Sequence, residues 1–481
     1  MISRLTVRID DGPNAAARAW AARLLAHVCG FPFRLEVLPV NAKPLRGPLL
    51  YYGKRKGLGG VTIEQSDFFD RPLDRRLTVP DKPSAEVGGL PVVFGGCAVE
   101  RSKDSTVISA DLLASAFFLA SRLEERFSGE RDRHGRFPAS ASFVGRNGLL
   151  ERPIVDEYAG FLAAEVTRIY PALTRRYPWP VVTRFAVCVT HDIETLKAPS
   201  RLGYLKAKIL SAGRATASGD ISKGIEQGAA GLIRALSGHN PTWSFDRLRD
   251  AMRPWPATFF FFGGATDPLD GAYDVESARV REMIAALGAD GCEIATHLGY
   301  STGCDDGLMK AQVSKVASAS GRPVRGVRHH YLKAEFPDVW KAHEKAGFAF
   351  DATLGFPEAA GYRAGTSYPF RPFDVDSGRA LFVVEIPLIV MDGSFFQYQR
   401  LSPDETIQRV LSLATTSERV GGVFTLLWHN TMVDSVDKPG PAKAYSEITS
   451  ALKERPAWAA NLGECAEAWR LYCDSLEEKR G

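Results

Sequence analysis

The sequence predicts an α/β protein in which a curved parallel sheet of barrel type is preceded by a smaller N-terminal α/β domain. Three observations lead there. The chain has 481 residues, longer than one average domain, so two or three domains are expected. Residues 1–150 mix short strand-like runs with helical periods, and from about residue 181 strand and helix alternate repeatedly, as parallel strands joined by crossover helices do. Hydrophobic residues make up 45% and charged residues 24%, the balance of a folded globular chain rather than a disordered or fibrous one.

In the first 150 residues, Leu49–Tyr52 and Leu90–Phe94 read as strands. Asp111–Arg126 (DLLASAFFLASRLEER) reads as one packing helix whose Phe117, Phe118 and Leu119 are core anchors. The RDRHGRFPAS stretch after it reads as a polar loop, and residues 151–180 as a helical connector. The barrel is assigned to residues 181–481. Its strand candidates are Phe185–Thr190, Ala257–Phe262, Cys292–Thr296, Val324–Arg328, Phe348–Asp351, Phe382–Leu388 and Val423–Trp428. Stretches such as PDETIQRVLSLATTSERVGG lie between them, with acid at the start and Gly at the end, as helix termini prefer. Six or seven strands favour an incomplete barrel.

Two segments break the alternation. Residues 196–245, rich in Lys, Arg, Ala and Gly, read as a helical insertion whose basic character is a solvated face. Residues 355–378 form a loop dense in Gly, Pro and aromatics, of the kind that lines a site or packs as a lid. Its aromatic stretch from Tyr362 to Phe373 suits stacking on sugar rings as well as packing.

Composition narrows the function classes. A net charge of +4 over this length is far from the concentrated basic face of a phosphate-backbone binder, so no nucleic-acid partner is expected. The most apolar run, Ala257–Ala265, is shorter than the roughly 20 residues that cross a bilayer, so no membrane span is expected. MISRLTVRIDDGPN lacks the apolar core of a secretory signal, and the seven cysteines contain no C-x-x-C pair; both point to reduced thiols in the cytoplasm.

The polar residues collect at one end of the predicted strands. Of nine histidines, His191, His297, His329, His330 and His429 fall at or just past strand C-termini, where parallel barrels carry their sites. Asp192 and Glu194 leave the first strand two residues apart and point to the same side. Carboxylates this close repel unless a cation or a shared proton relieves them, and a divalent metal does so while leaving one acid free as a base. A helix-start cap is the structural alternative. Arg328 is placed to orient a carboxylate and His330 to bind metal or donate to substrate. The His329–His330 pair points to opposite faces, so one of the two enters the site. His429 suits general acid work.

Taken in order, Thr190-His-Asp-Ile-Glu194, His297-Leu-Gly-Tyr-Ser301 preceded by Glu293-Ile-Ala-Thr, Gly326-Val-Arg-His-His-Tyr331 and Leu427-Trp-His429 resemble the motifs of the polysaccharide deacetylase family, carbohydrate esterase family four. The resemblance spans about residues 181–435. FLASRLEER, RDRHGRF and LLERPIVDEY are similar to an uncharacterised domain that precedes such modules in bacteria. The resemblance implies a distorted (β/α)7 barrel and metal-dependent removal of N- or O-acetyl groups from a carbohydrate.

Carried over residue by residue, it makes Asp192 the general base, Arg328 the residue that holds it, His429 the general acid, and Glu194 and His297 ligands of a divalent metal, Zn²⁺ foremost. Such an ion lowers the pKa of its water and polarises the acetyl carbonyl. Tyr331, Arg363, Ser301 and Trp428 are expected to line the substrate site. Ser301 departs from the family pattern, which has a second histidine ligand there, and serine binds zinc poorly. Either His330 or His191 supplies the third ligand, or tight metal binding is lost. In that second case the chain is a non-catalytic barrel that binds a glycan or protein. A third reading is an amidase acting on a small C–N substrate.

Overall fold

Every strand candidate between residues 181 and 430 forms in the computed structural model, which describes residues 4–39, 47–55, 57–74, 77–180, 182–197, 200–219, 221–237, 240–271 and 273–478. The N-terminal strands are β1 (Leu5–Asp10), β2 (Phe33–Leu38), β3 (Leu49–Gly53), β4 (Gly60–Glu64), β5 (Ala85–Val87), β6 (Leu90–Val92), β7 (Gly95–Arg101) and β8 (Ser105–Ala110). Six of them form a sheet in the order β2-β1-β3-β4-β8-β7, parallel except for the antiparallel β7–β8 edge pair. Leu5, Val7 and Ile9 alternate with Thr6, Arg8 and Asp10, and all six are buried, as in a sheet covered on both faces. The helices Ala15–Cys29, Leu112–Ala120 and Ile154–Ile169 supply cover.

The expected single helix over Asp111–Arg126 is two helices, Leu112–Ala120 and Leu123–Phe127. Asp111 caps the first by accepting from Ala114 N. The chain breaks at Arg122, whose φ of 55° lies in the left-handed region. There its guanidinium turns inward, donating to Leu119 O, Arg363 O, Glu124 and Glu125. The periodic spacing looks helical throughout, but burying this charge with its acceptors overrides it.

The second sheet is built from β9 (Phe185–Ile193), β10 (Ala257–Phe262), β11 (Glu293–Leu298), β12 (Gly326–His329), β13 (Phe350–Asp351), β16 (Val384–Glu385), β17 (Val390–Met391), β18 (Val423–Leu427) and β19 (Ala457–Ala459), with β14 (Phe373–Asp374) and β15 (Arg379–Ala380) making a separate hairpin. Its order is β16-β13-β12-β11-β10-β9-β18-β17, with β19 also paired to β9. The pairings between its described strands are all parallel. The curl therefore stays open between β16 and β17, in keeping with an incomplete barrel. The seven expected strands are all present, and β17 and β19 add to them. All strands run the same way, so their C-terminal ends share one rim.

Between β9 and β10 the described chain makes three helices, the pair Arg201–Ala217 and Ile221–Ser237 and then the shorter Phe245–Met252. The 355–378 loop is nearly all buried and packs against helices of both parts: Tyr362 Oη donates to Leu413 O of the barrel helix Pro403–Val420 at 3.1 Å, and Asp156 of the N-terminal helix Ile154–Ile169 accepts from Ser367 N and Oγ. Its aromatics form core and not a sugar-stacking platform, because both parts cover them: Phe373 meets Trp20 and Phe117, and Phe370 and Tyr368 meet Trp340 and Trp469.

Glu293, at the opposite end of the barrel, accepts from Thr258 Oγ1 and Gly463 N through one oxygen, Oε2. Burial pushes its carboxyl up to about 7 despite those two donors. An acid with a raised folded pKa is stabilising below its unfolded value of about 4.5 and loses that contribution as pH rises towards 7. Glu293→Gln keeps the accepting oxygen. It is expected to match the wild type near pH 4.5 and to be more stable by about 1–2 kcal/mol above pH 7, as measured by urea unfolding across that range.

Candidate metal and catalytic centre

The alternation of β9 divides its C-terminal residues between two faces. Asp192 faces the barrel interior, whereas His191 faces outward, wholly buried, with its ring against Phe259 and Tyr445. His191 Nδ1 bonds Trp428 O at 2.8 Å, and burial lowers its pKa to about 4, so it packs as a neutral core histidine. It is not among the clustered ligand atoms. Glu194 comes just after the strand, its N–H donating to Asn430 Oδ1 at 3.0 Å.

Glu194 sits among three imidazoles. His330 Nε2 lies 2.9 Å from Oε2, and His429 Nε2 and His297 Nε2 lie 3.4 and 3.8 Å from Oε1. Burial alone would raise the Glu194 carboxyl, but these imidazoles hold it well below the usual carboxylate range. Ligand atoms of Glu194, His297 and His330 all lie within 4.8 Å of one another, a group that could hold a metal ion. Of the two candidates for the missing ligand, His330 is therefore the one brought into the cluster.

Each imidazole is oriented by a partner on its far nitrogen. His297 Nδ1 lies 3.1 Å from Arg328 O. A carbonyl only accepts, so Nδ1 carries a proton and Nε2 points into the cluster. That buried Nε2 has no hydrogen-bond partner, although Asp192 Oδ2 and Glu194 Oε1 are each 3.8 Å away. Nε2 and the two carboxylate oxygens converge there without a hydrogen bond, an arrangement that a shared proton or a cation relieves, and the residues present fit a divalent metal. His330 Nδ1 lies 2.7 Å from Asp270 Oδ1. Burial works against charging His330, but Asp270 and Glu194 raise its pKa to about 9. His429 Nδ1 bonds Asp392 Oδ1 at 2.6 Å and its N–H donates to Asp392 Oδ2; Asp392 and Glu194 outweigh burial and hold His429 well above its ordinary pKa.

Asp192 is buried beside this group. Arg328, itself wholly buried, donates from Nη1 to Asp192 Oδ1 at 2.8 Å and to Thr190 Oγ1, and from Nε to Ala352 O. Burial favours the neutral acid, and the Arg328 guanidinium with the His297 and His429 imidazoles reverses that, so the Asp192 carboxyl titrates below its usual range.

A cavity of about 290 Å³ opens over the cluster, with Asp192, Glu194, His330 and His429 in its floor and Arg136, Tyr331 and Tyr398 in its wall. Of the residues expected to line a substrate site, Tyr331 borders this cavity. Three other expected contacts do not reach the cavity. Arg363 is buried in ion pairs with Glu125 and donates to Gly355 O. Ser301 is exposed and donates to Asp267. Trp428 is buried with Nε1 towards Met432 O. His329 turns away to meet His343 Nε2 at 2.9 Å, so only His330 of the pair enters.

Sequence reasoning missed Asp270, Asp392 and Arg136. Asp392 carried a signal, since it follows the apolar run Leu388–Met391 much as Asp192 comes after the apolar run Phe185–Val189 near the end of β9. Asp270 lies in a loop with no periodic signature. Arg136 belongs to the supposed polar loop, yet it is nearly buried, donating to Asp132, Tyr331 O and Tyr398 Oη.

Residues 14–171 match the model of a family of unknown function (DUF7033). No curated protein matches the sequence. Solved structures similar to the chain include one described as a probable polysaccharide deacetylase from Pseudomonas aeruginosa PAO1, 15% identical over 63% of this chain and 97% of that one with a TM-score of 0.40. Puue allantoinase is 14% identical over 62% and 94%, with a TM-score of 0.42. A family 4 acetyl xylan esterase from Clostridium thermocellum, in complex with a cobalt ion, is 13% identical over 58% and 89%, with a TM-score of 0.28.

Arg328→Met leaves the Asp192 carboxylate buried without its guanidinium and is expected to cost about 3–5 kcal/mol of stability. Combining it with Asp192→Asn should cost less than the sum of the two single changes, because the charge left uncompensated is then gone. Urea unfolding of all four proteins measures both quantities.

Proposed function

We propose that the chain is a metal-dependent hydrolase that removes acetyl groups from an N- or O-acetylated carbohydrate. The observation that carries this reading is the unpaired His297 Nε2, aimed with Glu194 and His330 at one point beside an ionised Asp192 and below an open cavity. A purely structural cluster would satisfy that nitrogen with a hydrogen-bond partner. Zn²⁺ held by Glu194, His297 and His330 would supply a Lewis acid and a water of lowered pKa.

The chain's own residues do the rest. Asp192, kept ionised by Arg328, accepts a proton from the attacking water. His429 keeps its Nδ1 proton on Asp392, so Nε2 faces the cavity, and its raised pKa keeps it charged to protonate the departing amine or alkoxide. Tyr331 and Tyr398 offer ring faces and hydroxyls at the cavity wall, and Arg136 fixes their placement. A protein in the cytoplasm would meet acetylated precursor sugars rather than a finished polymer.

The test joins metal content to acetate release from a panel of acetylated sugars. The wild type is expected to hold about one Zn²⁺ per chain and to release acetate, with activity lost on chelation and restored by Zn²⁺. His330→Ala should bind metal about 10–100-fold more weakly. Asp192→Asn should keep its metal and lose about 10²–10⁴ in kcat. A wild-type chain that takes up no divalent ion and releases no acetate would make the barrel a binding module instead.

A further inference from the structure

Large exposed apolar side chains are rare on this protein except in one place. Of fifteen among the described residues, eight belong to the helical pair after β9: Leu202, Ile209, Leu210, Ile221, Ile225, Leu232, Ile233 and Leu236, each 47–76% exposed. Their spacing is ordered. Ile221, Ile225, Leu232 and Leu236 are separated by four, seven and four positions, which puts them on one face of their helix, and Leu202 and Ile209 share a face of the other.

These side chains do not hold the pair together. The seam is made by small buried residues: a side chain on Gly231 would meet Leu205 and Lys208, and one on Gly224 would meet Thr216. Lys208 bonds Gln227 across the seam and Asp437 of the barrel, and Tyr204 Oη also donates to Asp437. The pair is thus anchored from its inner side, with its apolar stripes facing out.

The same segment holds the protein's positive charge. Residues 197–237 carry seven basic and two acidic side chains, a net of +5 in a chain whose total is +4, which leaves everything else at −1. Apolar stripes on a basic helical pair are the makings of an interfacial element, which buries its apolar face at the headgroup boundary while Lys and Arg meet anionic lipid. No helix among the described residues is long and apolar enough to cross a membrane, so the pair would lie on the surface. Isologous pairing with a second copy would set the two +5 segments against each other; a negatively charged bilayer reverses that sign.

We propose that the helical pair of residues 201–237 docks the protein on an anionic lipid surface. This requires nothing of the barrel's chemistry. The dock is rooted at the catalytic rim: Asn430, next to His429, donates to Thr195 O and Thr242 O on the two strands of chain that enter and leave the insertion.

The experiment is flotation of the full chain with vesicles of phosphatidylglycerol and phosphatidylcholine in equal parts, and with phosphatidylcholine alone. Binding to the anionic vesicles, weakened by salt, and at least about tenfold less to the neutral ones is expected. Ile225→Glu/Leu232→Glu/Leu236→Glu alters only exposed positions, so an unchanged thermal melt with loss of flotation is expected. Lys206→Ala and Arg214→Ala should each weaken anionic binding by about fivefold with the apolar face intact. The proposal is overturned if the wild type stays off anionic vesicles at low salt. If sedimentation then shows a dimer that the triple variant dissolves, the face belongs to a second copy of the chain.

Discussion

One carboxylate surrounded by three imidazoles governs the architecture of the rim. Glu194 is only 23% exposed at its side chain and has His297, His330 and His429 within 3.8 Å. Each ring must arrive with a defined nitrogen forward, and each is held so by an acceptor behind it: Arg328 O, Asp270 and Asp392. Those acceptors come from three different loops or strand ends. The charges require this company. Asp192, Glu194, Asp270 and Asp392 stand in one region where the Arg328 guanidinium pairs Asp192, so the other carboxylates are balanced by charged imidazoles or by a bound cation. The parallel sheet is what makes such a concentration possible, since it alone brings strand ends so distant in sequence to one edge.

The N-terminal part is joined to this rim by buried charge. Arg122, Glu124, Glu125 and Arg363 are each no more than 2% exposed. Arg363 grips Glu125 through two nitrogens, at 2.9 and 2.6 Å, while Arg122 donates to Arg363 O and to both acids. Such a network contributes little net free energy over an apolar packing, but removing one member leaves a charge stranded and is costly. Its effect is to fix one register between the two parts.

Much of this was legible in the sequence and some was not, for identifiable reasons. The strands announce themselves because both faces of a parallel sheet are buried, so Phe185–Val189 of β9 and Phe259–Phe262 of β10 read as unbroken apolar runs. Asp192, Glu194, His297 and His429 were legible because a polar residue ending such a run has few structural uses. Period-two alternation separates His191 from Asp192, yet the sequence alone does not say which face is the interior, and His191 proved to be outward core. Arg363 and Trp428 were misread for a related reason: an Arg or Trp near a motif looks like a ligand contact until the covering layer is known. Asp270 and Arg136 were invisible because loops carry no periodicity.

That covering layer also bears on the shape of the cavity. Tyr331 and Leu332, both in its wall, have φ of 60° and 51°, a conformation that costs an L residue about 1–2 kcal/mol each. Two strained residues in succession persist only where their surroundings overdetermine them. The surroundings here include Arg136, which donates to Tyr331 O at 2.8 Å and is itself held by Asp132. The adjoining wall, Ser394–Gln399, is a π turn, a form that often occurs at functional sites, and its Tyr398 accepts from the same guanidinium. One side chain from the N-terminal part therefore braces both irregular segments of the barrel mouth. The barrel supplies the ion-binding and proton-handling groups, but the wall that a substrate would meet is held in place from outside it.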